Sequence, residues 1–69
     1  MGRRIRRLRT RLGLTQEGFA DRYGIPLSAI RQYEIPRTRP PPAVRAYLTV
    51  IEREPEMAAR ALHSTPLKG

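Results

Sequence analysis

The chain has 69 residues, no cysteine, one histidine and a formal net charge of +8. That length allows one small domain, and the composition offers it neither a disulfide framework nor an evident metal staple. No run approaches the roughly 18 apolar residues that a membrane-spanning helix needs, and the N-terminal charge is not backed by the apolar stretch of a secretory signal.

Ile5, Leu8 and Leu12 recur at i, i+3 and i+7, which predicts a first helix over residues 3–12 with arginines on its other faces and Gly13 ending it. Thr15 is suited to cap a second helix, residues 16–23, with Glu17 in the first turn and Phe19, Ala20 and Tyr23 facing inward. Gly18 at its third position is a poor helix former and leaves a capping box incomplete. Gly24 can take the left-handed conformation that stops this helix. A third helix then runs from 26 or 27 to about 34. At 100° per residue, Ile30 and Tyr33 share one face. Ser28 and Gln32 fall roughly opposite, with Arg31 beside them. The stretch IPRTRPPP, residues 35–42, has too many prolines for a helix and reads as a semi-rigid basic loop.

Val44, Tyr47, Leu48 and Ile51 predict a fourth helix over 42–53. Pro55 is placed to open a fifth, 55–62, with Ala58, Ala61 and Leu62 inward. Residues 63–69 read as a frayed tail. No strand signal and no repeat is visible. The expected architecture is an all-α, compact five-helix bundle in one domain, residues 1–62. Its expected core is Ile5, Leu8, Leu12, Phe19, Ala20, Ile25, Ile30, Tyr33, Val44, Tyr47, Leu48 and Ile51.

The charge is unevenly placed. Eleven arginines and only three acids fall in residues 1–45, so this part carries the whole excess, while residues 46–69 are neutral. Arginine binds phosphate through a planar fork, so a polyanionic partner is expected. Ser28, Arg31 and Gln32 together on one helical edge are residue types that hydrogen-bond to base edges and phosphates.

The segment LTQEGFADRYGIPLSAIRQYE, residues 14–34, resembles the helix-turn-helix of the Xre/Cro-repressor family of bacterial and phage DNA-binding proteins. The match rests on Leu14-Thr15-Gln16, the small Ala20 at the helix crossing, Gly24 in the turn, the inward Ile30, and Tyr33-Glu34. The segment RPPPAVRAYLTVIEREPEMAARAL, residues 39–62, is similar to the later helices of antitoxin-like regulators in that family. The resemblance implies a lambda-repressor-like fold and a DNA-binding set of Gln16, Leu27, Ser28, Arg31, Gln32, Arg37 and Arg39. Gln16 would clamp a phosphate at the start of the second helix. Leu27, Ser28, Arg31 and Gln32 would face the major groove, and Arg37 and Arg39 would hold backbone phosphates. Two positions depart from the family pattern. Ile35-Pro36 stands where a polar residue and glycine are usual, and Gly18 replaces a common acidic residue.

The function implied is a sequence-specific, double-stranded DNA-binding regulator, an (auto)repressor that binds an inverted repeat as a homodimer in the cytoplasm of a bacterium or in phage infection. The alternative is an antitoxin whose main act is to bind and neutralise a toxin protein, using the neutral, apolar fourth and fifth helices. RNA binding by the arginine-rich first helix is a third reading. A membrane-surface role for that helix is disfavoured, because its apolar stripe has no aromatic residue and is needed for the core. No nucleophile–base pair, glycine-rich phosphate loop or ligand cluster is visible, so neither an enzyme nor a cofactor is expected. Glu52, Glu54 and Glu56 read as solubilising charges, His63 as an exposed bystander, and Tyr33 and Tyr47 as core residues with wet hydroxyls.

Overall fold

The computed structural model describes residues 2–63. They form α1 (Gly2–Arg11), α2 (Gln16–Tyr23), α3 (Leu27–Tyr33), α4 (Pro42–Arg53) and α5 (Pro55–His63), with no strand among the described residues. His63, expected in the tail, is the last residue of α5. The rest of the expected tail, 64–69, lies outside the described residues.

Each boundary has a local cause. Gly13 takes a φ of 71°, its N–H bonds to the Thr10 carbonyl at 3.0 Å, and the Leu14 N–H reaches back to Arg9 at 3.0 Å. This is a Schellman arrangement, which satisfies carbonyls that the end of α1 leaves without helical partners. The Thr15 hydroxyl accepts the Gly18 N–H at 2.9 Å and so caps α2. Gly24, with a φ of 67°, ends it. Pro26 stands just outside α3 with a ψ of 139°, and its carbonyl accepts the Ala29 and Ile30 N–H groups.

The far end of α3 has no glycine to stop it. The chain instead leaves through right-handed turns: Glu34 stays in the αR region, the Ile35 N–H bonds to Gln32 and the Thr38 N–H bonds to Ile35. Pro42 occupies the start of α4, where a missing N–H costs nothing. Glu54 alone joins α4 to α5. Its N–H closes α4 on Val50 at 2.7 Å and its carbonyl opens α5 by accepting the Ala58 N–H at 2.9 Å.

α1 packs on α3, α3 on α2, α2 on α5 and α5 on α4. An ion pair between Arg4 and Glu52, at 2.9 Å, returns α4 to α1. The helices thus ring one core. Ile5, Leu8, Phe19, Ala20, Tyr23, Ile30, Leu48, Ile51, Ala58 and Ala59 are buried there. Phe19 and Tyr23 meet with ring centroids 5.0 Å apart at a tilted 50°, a favourable aromatic geometry.

Leu12, Ile25, Tyr33, Val44 and Tyr47, expected in the core, are half-buried and pack against its edge. Two inward expectations for α5 fail: Ala61 is exposed and Leu62 remains 44% exposed. Ala61 is turned well away from the face shared by Ala58 and Ala59. Leu62 shares that face but lies a turn later, beside Gly24, which has no side chain to cover it; a Cβ there would come within 3.5 Å of Leu62.

Candidate nucleic-acid interface

The candidate interface is the outer edge of α3, and the turn before it sets its direction. Gly24 and Ile25 both return N–H bonds to the Ala20 carbonyl, reversing the chain within a few residues. Ile30 is fully buried and holds the inner face of α3. Ser28, Arg31 and Gln32 are left exposed on the opposite side, and their side chains have no hydrogen-bond partner among the described residues. Three of the four residues expected to face the groove therefore stand together, and their polar groups are open to a partner.

Leu27 is divided. It was expected to face the groove, but it is half-buried and packs against the core, so its first role is to seat α3. Arg37 and Arg39, in the loop after α3, are exposed. The loop itself is fixed at its far end. Pro40 is fully buried, and Arg45 donates to its carbonyl at 2.8 Å.

Gln16 is placed as expected at the start of α2, but its amide is already engaged. Its Nε2 donates to Glu34 Oε1 at 3.2 Å. The other face of this contact is Arg9, which the sequence did not single out. Arg9 Nε and Nη2 donate to the two Glu34 oxygens at 2.7 and 3.1 Å, and Nη1 donates to the Leu14 carbonyl at 3.2 Å. One carboxylate at the end of α3 thus holds α1 and the start of α2. Burial alone would raise the Glu34 pKa. Hydrogen bonds from Arg9 and Gln16, with the charges of Arg9 and Arg6, outweigh it and hold the carboxyl below its usual range.

A second set of contacts steadies the opposite end of α2. The Tyr47 hydroxyl donates to the Tyr23 carbonyl at 2.7 Å, so it is bonded to backbone rather than wet as expected, and burial raises its pKa. Tyr23 donates to the Pro55 carbonyl at 3.0 Å, and His63 Nε2 lies 2.8 Å from the Arg22 carbonyl. Side chains from α4 and α5 therefore cap the last carbonyls of α2. Glu52, expected to be only solubilising, is the partner of Arg4, which also donates to Thr49 at 2.9 Å.

No group of three or more potential metal ligands exists among the described residues, and none of their helices is long and apolar enough to cross a membrane. Residues 1–63 match a family described as helix-turn-helix domain. No curated protein and no solved structure matches the chain.

Proposed function

The chain belongs to the helix-turn-helix domain family, and from that premise we propose that it is a sequence-specific regulator of transcription that reads double-stranded DNA with α3. The observation that carries this reading is the set of Ser28, Arg31 and Gln32, exposed and uncommitted on a helix whose other face is locked by Ile30. A helix about 10–12 Å across fits the major groove of B-DNA. Gln32 is suited to a bidentate contact with adenine and Arg31 to guanine or phosphate. Arg37 and Arg39 supply sequence-independent phosphate contacts, and the second N–H of the Gln16 amide adds one at the start of α2. Leu27 reaches a thymine methyl with the part of its side chain left outside the core.

In this reading the chain is an autorepressor, with two copies on an inverted repeat and recognition helices about 34 Å apart. Its resemblance to the Xre/Cro-repressor family supports this, and a cytoplasmic setting in a bacterium or phage-infected cell goes with it. Selection from a random duplex library tests the reading. Enrichment of one inverted repeat is expected; recovery of unrelated sequences at moderate salt would contradict it.

A second reading is an antitoxin that grips a toxin protein. It is favoured by Val50 and Met57 on α4 and α5, which are 49% and 57% exposed. If that grip is the essential act, rescue from toxicity survives replacement of both Arg31 and Gln32 by alanine. Loss of rescue in that double variant would contradict it.

A further inference from the structure

Arg3, Arg6, Arg7 and Thr10 lie at i, i+3, i+4 and i+7 and form a complete helical face of α1, opposite Ile5, Leu8 and Leu12. All four are exposed, and with Arg11 they line one open depression. The flanking arginines are committed to the fold: Arg4 and Arg11 bond to Glu52 on one side and Arg9 to Glu34 on the other. Arg3, Arg6 and Arg7 have no ion-pair or hydrogen-bond partner among the described residues.

This face works against its own helix. α1 has no acid in its first turn, where the dipole favours negative charge, and Arg3 repels Arg6 and Arg7 across one turn. The core needs only Ile5 and Leu8 from α1, so nothing in the packing requires cations on the far side. An external anion would relieve the repulsion. The position of the face says which one. α1 is the ring neighbour of α3, and their shared edge is the Arg9–Glu34 pair. Arg6 is close enough to that edge for its charge to act on Glu34.

We propose that the outer face of α1 is a second phosphate-binding surface, on which Arg3, Arg6 and Arg7 hold the backbone of the same duplex that α3 enters, beyond the bases α3 reads. The inference rests on the DNA-binding reading of α3. Arginine side chains on one helical face place several guanidinium forks within reach of successive phosphates. The surface carries no sequence information and lengthens the footprint.

The test compares the wild type with a variant carrying Arg3→Gln, Arg6→Gln and Arg7→Gln. Two duplexes are used, one limited to the selected site and one extended by about one helical turn, ~10 bp, at each end. The wild type is expected to bind the extended duplex more tightly. The variant is expected to lose that advantage and to show a log–log salt slope smaller by about two to three, nearly one per lost phosphate. Its melting temperature should be unchanged or higher, which separates lost contact from lost fold. Equal affinities and slopes for wild type and variant on the extended duplex would overturn the proposal. So would a variant that loses binding only to a structured RNA hairpin. If the wild type binds neither duplex, the reading of α3 fails first; retained site binding with no flank effect sinks the α1 surface alone.

Discussion

Glu34 is the residue on which three helices converge, and its charge makes that junction sensitive to acid. Its side chain is only 10% exposed, and its carboxyl is held below the usual carboxylate range by Arg9 and Gln16. A depressed folded-state pKa adds stability that is fully present above the unfolded value, near pH 4.5, and disappears as pH falls through the folded value. Glu34→Gln keeps the shape and removes the charge. It is expected to cost about 2 kcal/mol at neutral pH, with the gap from wild type closing in acid, as read by chemical denaturation at several pH values. A gap that persists unchanged below pH 3 would assign the loss to packing instead. The sequence showed a Tyr-Glu pair at this place but not its partner. Arg9 is one of six arginines in the first eleven residues, and no spacing rule distinguishes the one that folds back 25 positions. Ser28, Arg31 and Gln32 were legible for the opposite reason: helical periodicity alone puts Ser28 and Gln32 across from Ile30, with Arg31 beside them.

At the scale of elements, α2 is the helix with a correctable fault. Gly18 lowers its propensity, while its N–H completes the Thr15 cap. A Cβ at this position would approach the Thr15 hydroxyl to 3.2 Å, so that side chain must give by a few tenths of an ångström. Gly18→Ala is therefore expected to stabilise the fold by about 0.5–1 kcal/mol in thermal or denaturant unfolding. A loss of stability would show that the cap cannot shift. The opposite result holds for Gly24. Its φ of 67° is costly for any side chain, so Gly24→Ala is expected to destabilise by about 1–2 kcal/mol although the space beside Leu62 is adequate. An unchanged stability would mean that the turn relaxes out of the left-handed region. Element limits were readable because glycine, threonine and proline mark nearly all of them. The end of α3 was legible to within one residue, but the path beyond it was not, since Ile35 and Pro36 stand where the family pattern has a polar residue and glycine, and the chain leaves through backbone turns, with Pro36 at the second position of the Ile35–Thr38 turn. The exposed end of α5 was missed because periodicity tells which residues share a face but not how far the neighbouring helix extends to cover it.

For the whole molecule, the central quantity is how a charge of +8 is divided between holding the fold and holding a partner. Arg4 and Arg9 are paired within the bundle, whereas Arg31, Arg37 and Arg39 face outward. Affinity for duplex DNA is therefore expected to fall steeply with salt. Arg37→Ala should weaken selected and random duplexes alike and reduce the log–log slope by nearly one; an unchanged slope would remove Arg37 from the phosphate contacts. The proposed division between affinity and specificity is tested on α3. The most direct measurement is the affinity of Gln32→Ala for the selected site and for random duplex at one salt concentration. A penalty of about 1–3 kcal/mol on the selected site with little change on random DNA is expected. Equal losses on both, or none on either, would contradict the claim that this edge of α3 reads the bases.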